Sequence, residues 1–271
     1  MDVVNKDINY TFDVLNGYNN EKYSNIYFKS NEDLNNLFGT FDFKDKKCLA
    51  ILSSGDQVFH LLNKGVKNID LIDKNKLTIY YFYLRLWIIK YLNTYYPPVN
   101  FDCNFISELL KNVKPSNEME KKAYNYWNLF VSNFSNRRIS DLFLIDNDLF
   151  DNSISNIDEL NKKIDRKYDF YNNDIKDRLF ISKKYDFIYL SNLLEWIIRD
   201  KDEMIPIRNN LYHLLNDNGY VICSNLCRSG NSGIGALIFE ELFGCYDIPS
   251  INTNGEEKSP GYVYIKRKHN I

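Results

Sequence analysis

An α/β fold built on an open, mostly parallel sheet with an antiparallel last strand is what this sequence predicts, on three observations. The apolar run Leu49-Ala50-Ile51-Leu52 breaks at a small-residue turn, Ser53-Ser54-Gly55-Asp56-Gln57, that opens a helix. A second apolar run ends in a carboxylate, Asp73, 18 positions after Gly55. Further strand patterns, Tyr168–Tyr171, Tyr185–Ser191 and Tyr220–Ser224, follow in the second half, the last two with a helix between them. Short apolar runs alternating with helical patterns describe βαβ units. A turn glycine followed about 20 residues later by a strand-end acid is the spacing that sets a carboxylate against a ribose.

Taken in order, residues 1–45 are a polar leader with scattered aromatics, including Tyr10, Phe12, Tyr27 and Phe28. Within it Ser30-Asn31-Glu32-Asp33-Leu34 reads as a helix start, Ser30 capping and Asp33 completing the box. Cys48–Leu52 is the first strand, Gln57–Lys64 a helix stopped by Gly65, and Val66–Asp73 the second strand. Leu77, Tyr80, Tyr81, Leu84, Ile88, Tyr91 and Leu92 recur at helical spacing until Pro97-Pro98 ends the pattern. From about 101 to 165 the chain turns helical, with a break at Pro115 and Asn117. That stretch exceeds the usual connection between strands. It is either an insertion that caps the site or forms a substrate pocket, or one more packed layer. Tyr168–Tyr171 is a short strand leading into Asn172-Asn173-Asp174-Ile175. Tyr185–Ser191 is the most convincing later strand. Its carboxyl end, Ser191-Asn192-Leu193-Leu194-Glu195, lies where an open α/β sheet carries its ligand chemistry. A helix over Asp202–Leu215, a turn at Asn216–Gly219, strand Tyr220–Ser224 and a last antiparallel strand Tyr262–Lys266 complete one domain, 1–271. The glycines of Ser229–Gly235 stand in the wrong order for a dinucleotide turn and lack a P-loop lysine, which leaves a loop.

The chemistry of the first turn narrows the ligand. A dinucleotide fingerprint needs three glycines, and only Gly55 is present. Asp56 at the start of the helix occupies the positive end of the dipole that a phosphate uses. It repels a pyrophosphate and attracts an ammonium or a sulfonium. S-adenosylmethionine carries both cations, no phosphate, and a ribose for Asp73. The alternative is that Asp56 is an N-cap and Asp73 a solvated strand end.

These residues carry a resemblance. The core is similar to class I S-adenosylmethionine-dependent methyltransferases. Ser53-Ser54-Gly55-Asp56-Gln57, Gly65-Val66-Lys67 and Ile72-Asp73-Lys74-Asn75 with the apolar helix after them resemble a branch that includes the betaine-lipid 3-amino-3-carboxypropyl transferases. The resemblance covers mainly residues 26–92 and 168–224. It implies a Rossmann-like sheet with a helical insertion, the leader lying over the cofactor site, and cofactor contacts from Ser53, Ser54, Gly55, Asp56, Asp73, Lys74, Asp174, Ile175, Ser191 and Asn192. Asp174 would accept from the adenine amino group, beside the backbone of Ile175. The chain departs from the family where Ile51 stands in place of the first-strand acid and Ser53 and Gln57 replace glycines. Asp56 is the expected substitute for that acid.

Composition bounds the partners. A net charge of −2 carries no electrostatic footprint for nonspecific nucleic-acid binding. Hydrophobic content of 44% is ample for a packed core and argues against disorder. Five scattered cysteines read as reduced and intracellular, the close pair Cys223 and Cys227 as packing residues, and the three histidines form no metal cluster. The most apolar window, Ile79–Ile89, holds Arg85 at its middle and is too short to span a bilayer. The chain is expected to be cytoplasmic, without integral membrane association or a signal peptide. Alkyl transfer from a sulfonium needs a general base only when the acceptor must lose a proton. The candidates are Asn192, Glu195 and Tyr27. Three functions stay open: methyl transfer to a small-molecule or lipid-like acceptor, aminocarboxypropyl transfer from the same cofactor, or a non-catalytic cofactor-binding or interaction module.

Overall fold

Alternation of side chains along the strands sorts this sheet between two apolar cores, because successive residues of a strand point to opposite faces. The structure is a computed structural model that describes residues 2–16, 25–30, 32–39, 41–98, 101–134, 139–144, 152–177, 179, 181–191, 193, 201–226, 251–252 and 261–267. The main-sheet strands are β2 (Lys47–Ile51), β3 (Asn68–Ile72), β5 (Asp169–Tyr171), β6 (Tyr185–Tyr189), β7 (Leu215–Leu226), β8 (Ile251–Asn252) and β9 (Gly261–Arg267). They lie in the order β5-β3-β2-β6-β7-β9-β8. β5, β3, β2, β6 and β7 run parallel, and β9 is antiparallel to both neighbours. This is the Rossmann-like, mostly parallel sheet with its late antiparallel strand that the sequence predicts.

One face carries Cys48, Ala50, Leu52, Ile69, Leu71, Phe187, Tyr189 and Ile222. The other carries Leu49, Ile51, Ile72, Ile188, Leu190, Val221 and Cys223. The first is covered by a deep layer: α1 (Asp2–Leu15), α3 (Asp56–Asn63), α4 (Thr78–Leu92), α5 (Cys103–Leu110), α6 (Glu118–Phe134) and α7 (Ile157–Ile164). On the second face, α8 (Lys201–Leu214) packs together with Ile175, Leu179 and Ile181.

α4 is apolar on all sides and buried from Thr78 to Ile89. A helix of that kind must be enclosed by other elements, and the helices of the 101–165 region do this. Trp127 of α6 donates to the Tyr80 carbonyl at 2.8 Å, and the Tyr80 and Tyr126 rings stack 4.2 Å apart. α1 joins the same layer through Thr11, which shares a 2.8 Å hydrogen bond with Tyr126.

Several boundaries differ from the sequence reading for local reasons. α4 stops at Asn93, in the left-handed conformation at φ 52°, before the prolines are reached. The turn expected at Asn216–Gly219 is an excursion inside β7. Leu215 already pairs with Tyr185 and pairing resumes at Tyr220 with Phe187, with Asn218 at φ 62°. The helix expected after Ser30 is the single turn α2 (Leu34–Leu37). Its first amide donates to Asn152 Oδ1 at 3.1 Å rather than to Ser30. The glycine cluster at 229–235, Asn192, Glu195 and Cys227 lie outside the described residues.

Candidate functional site

The chain runs outward from β2 to β3 to β5, then crosses back to β6 on the other side of β2. Ligands of open α/β sheets bind outside the carboxyl ends of the strands at such a reversal. Two residues there hold unusual backbone. Ser53, just after β2, has φ 43°, and Ser191, just after β6, has φ 54°. Left-handed conformations cost non-glycine residues of order 1–3 kcal/mol and concentrate at ligand sites. Gly55, at φ 87°, is required twice over, since a Cβ there would also lie 3.0 Å from the Phe82 ring. Gln57 uses its amide to close the end of β2, donating to the Ile51 and Leu52 carbonyls at 2.6 and 2.7 Å.

Asp73 stands at the end of β3, half-buried. Its Oδ2 accepts from the Ser53 amide and its Oδ1 from the Asn75 amide, each at 2.8 Å. The Thr78 hydroxyl bonds this carboxylate as well; with two lone-pair sites on each oxygen, the carboxylate retains acceptor capacity for a further hydroxyl. Burial pushes its pKa up to about 6, against the pull of those amides. Next to it, Lys74 Nζ lies 3.5 Å from Asp174 Oδ2, and Asp174 Oδ1 accepts from the Lys176 amide at 3.0 Å. Asn172 ties this corner together by donating to the Asp73 and Lys74 carbonyls. Ile175 is buried in the second core.

Asp56 meets a different environment from the one its sequence position suggested. It is fully buried, and its Oδ1 pairs with Arg85 Nη1 at 2.6 Å. Its Oδ2 accepts from the Ser30 amide at 2.6 Å and the Ser54 hydroxyl at 3.0 Å. The guanidinium also donates to the Ser54 and Tyr95 carbonyls, and sits 4.8–4.9 Å from the ring centres of Phe59, Tyr95 and Tyr96. The cation that Asp56 attracts is therefore supplied by α4. As a ligand for an incoming ammonium it is corrected: the carboxylate instead braces the turn. The N-cap reading is corrected as well, since Gly55 takes that position.

The leader crosses this edge of the sheet. Asn25 accepts through its carbonyl from Asn75 at 3.1 Å, and Tyr27 lies in the two-residue strand β1 (Ile26–Tyr27) beside β4 (Phe143–Leu144). Tyr81 donates to the Phe28 carbonyl, the Ser30 amide reaches Asp56, and Glu32 arrives at the end of β6. Glu32 Oε2 accepts from the Ser191 hydroxyl at 2.5 Å and the Tyr189 hydroxyl at 2.8 Å. Burial pushes its pKa up to about 7 although those hydroxyls favour the ionised form. Asn152 holds the segment down, donating to the Glu32 carbonyl at 2.8 Å and accepting from the Leu34 amide. The Asn152 carbonyl in turn bonds His60 Nε2 at 2.8 Å, and burial lowers the pKa of that imidazole.

The structure thus brings Ser53, Ser54, Gly55 and Asp73 together with Ser191 at the reversal, and sets Lys74 and Asp174 beside them at the β3–β5 corner. Sequence reasoning missed Glu32, Arg85 and Asn152. Arg85 left a signal, since a lone cation inside an apolar helix needs a buried anion. Glu32 and Asn152 left none, because the partners that set their roles, Ser191 and Tyr189 for the first and Glu32 and Leu34 for the second, lie 118–159 residues away along the chain.

No family model matches this chain, and no curated protein matches it. Among solved structures it is similar to the N-methyltransferase NodS from Bradyrhizobium japonicum WM9, with 11% identity, TM-score 0.44, and 87% of this chain and 90% of that chain covered. It is similar to a ribosomal protein L11 methylase from Lactobacillus delbrueckii subsp. bulgaricus at 12% identity and TM-score 0.43, covering 88% and 77%. A third is magnesium protoporphyrin IX methyltransferase from Synechocystis PCC 6803 with bound SAM, at 9% identity and TM-score 0.42, covering 87% and 76%.

Proposed function

We propose that this chain is an S-adenosylmethionine-dependent transferase that moves a methyl group to a small-molecule or lipid-like acceptor. The observation that carries the reading is Asp73, a half-buried carboxylate at the end of β3 anchored by the turn amide of Ser53 beside the strand reversal. Its remaining acceptor capacity suits a ribose hydroxyl. Asp174 is the acceptor for an adenine amino group, with the Ile175 backbone beside it, and Lys74 flanks both. Ser53, Ser54, Gly55 and Ser191 border the space in which the methionine moiety would lie, and Asn192 follows Ser191 in the sequence. With a single turn glycine and no P-loop lysine, the site lacks the features that hold a pyrophosphate.

When bound, such a cofactor supplies a methyl group on a sulfonium with a good leaving group. The protein's part is then to orient the acceptor and exclude water. Glu32, whose pKa burial pushes up to about 7, joins Glu195 and Tyr27 among the groups that could take a proton from an acceptor that must lose one, while the amide of Asn192 could only orient that acceptor by hydrogen bonds.

Calorimetric titration with S-adenosylmethionine and S-adenosylhomocysteine, and with NAD for comparison, tests the reading. Binding of the first two alone supports it; binding of none favours a non-catalytic module. Aminocarboxypropyl transfer, implied by the resemblance to betaine-lipid transferases, leaves methylthioadenosine in place of S-adenosylhomocysteine, so product analysis separates the two reactions.

A further inference from the structure

The two halves of this site differ in how they are covered. Asp73 is half-buried, and the side chains of Lys74 and Asp174 are 59% and 25% exposed. Ser54, Asp56 and Ser191, by contrast, are buried, and what crosses them is the leader. A ligand seated on Asp73 reaches the open corner freely, but extends toward the ends of β2 and β6 only beneath that crossing segment.

The segment is built unevenly. Its ends are held by apolar burial: Ile26 and Leu34 lie in the first core, and the Phe28 ring packs against Tyr81 and Phe143. Its middle is held by polar contacts instead, from the Ser30 amide to Asp56 and from the Glu32 side chain to Ser191 and Tyr189, with Asn152 gripping the Glu32 carbonyl. Fixed ends and a polar middle describe a strap that lifts without unfolding its anchors. Glu32 is its one buried carboxyl, and closing the strap takes that group out of water.

We propose that residues 25–30 and 32–34 form a strap over the β2–β6 end of the cofactor site, and that the Glu32 carboxyl is a proton-operated latch. The assignment of the site as a cofactor site rests on the function proposed above; the latch itself does not. Among the described groups facing Glu32 are three hydroxyls: Tyr189 and Ser191 at the end of β6 and Ser30 in the strap. Around them stand Cys223 on β7 beside Tyr189, His60 behind Asn152 with its pKa lowered by burial, the Asp56–Arg85 ion pair beneath Ser30, and Asp33 next in the strap. Tyr189 has its pKa driven well above 10 by burial and stays protonated throughout.

In the closed form Glu32 keeps its proton up to about pH 7, whereas an exposed glutamate releases it near 4.5. Closing therefore takes up a proton. It is favoured at low pH, weakens as pH rises from 4.5 to 7, and is flat above that. Between pH 5 and 7 the closing constant falls about 40-fold.

Hydrogen exchange of the ligand-free protein at pH 5, 6, 7 and 8, expressed as protection factors, reads this directly at the Ser30 amide, with the α3 amides as internal reference. The expected result is a fall of about 40-fold in wild type between pH 5 and 7, and a flat profile in Glu32→Gln. In Ser191→Ala the carboxyl remains but loses a hydroxyl that favours its ionised form, so the fall moves to higher pH. A wild-type profile as flat as that of Glu32→Gln overturns the latch, and an unmoved profile in Ser191→Ala does the same should Glu32→Gln fail to fold. A parallel titration with S-adenosylhomocysteine keeps the two readings apart. Absence of heat at every pH sinks the cofactor assignment while leaving the latch to the exchange data. Heat of binding with no added protection at Ser30 overturns the placement of the strap over the ligand.

Discussion

Asp56 and Asp73 come from one βαβ unit, 17 residues apart, and the fold uses them in opposite ways. Asp56 is sealed among Arg85, Ser54 and the Ser30 amide, with no exposed surface. Asp73 is anchored by two backbone amides and left half-buried at the strand end. A buried carboxylate with a complete set of partners is a brace, whereas one with lone pairs to spare at a strand reversal is a binding group. In sequence the two look alike, since both are acids that closely follow an apolar run, Asp73 at once and Asp56 after a three-residue turn. What separates them is whether another element delivers a cation, and α4 delivers one only to Asp56.

The strongest way to break this contrast is to remove the cation. Arg85→Met leaves Asp56 as an uncompensated buried charge and is expected to lower stability by about 3–5 kcal/mol in urea unfolding. Adding Asp56→Ala to that variant should restore part of the loss, because the stranded charge is gone. Asn152→Ala removes the grip on Glu32 and Leu34 and leaves that carbonyl and amide only their bond to each other. It should cost about 1–3 kcal/mol by the same measurement.

Asp73→Ala is expected to weaken S-adenosylhomocysteine binding by about 1–3 kcal/mol for each charge-assisted hydrogen bond lost. The sign of its pH dependence follows from the raised pKa. Folding and ligand binding act in opposite senses here. The folded protein holds the Asp73 proton up to about pH 6 against 3.8 when exposed, so its contribution to stability falls as pH rises across that window. Ribose hydroxyls need the ionised form, so affinity should rise with pH up to about 6 and then level. Calorimetry in the Glu32→Gln background isolates this rise, and Asp73→Ala should abolish it. The smallest effect is expected at the exposed corner. Lys74→Ala breaks a pair whose lysine is 59% exposed and should change stability by less than about 1 kcal/mol.

Much of this molecule was legible in one dimension. The strands at 47–51, 68–72, 169–171 and 185–189 fall within runs whose apolar content marks them, because strands of a parallel sheet are buried on both faces. The antiparallel strand at 261–267 was equally plain. The α2 start was not, because the Ser30 signature of a cap is a local pattern, and a more distant side chain, Asn152, reached the Leu34 amide instead. The turn at 216–219 was hidden for a similar reason. Whether a polar tetrapeptide ends a strand or bulges out of one depends on the partner strand, here the pairing of Leu215 with Tyr185.

The same division holds for the site. Local chemistry determined the parts that depend on neighbours in the chain: the Ser53–Gly55 turn, the acid at Asp73, and the absence of a phosphate-binding glycine pattern. Tertiary structure decided everything that depends on meeting across the chain. It gave Asp56 to Arg85 rather than to a ligand, laid the leader across the strand ends, and set Glu32 on Ser191, 159 residues away. A carboxylate's role is fixed by the charges and donors that surround it in space, and those are known only once distant segments have packed together.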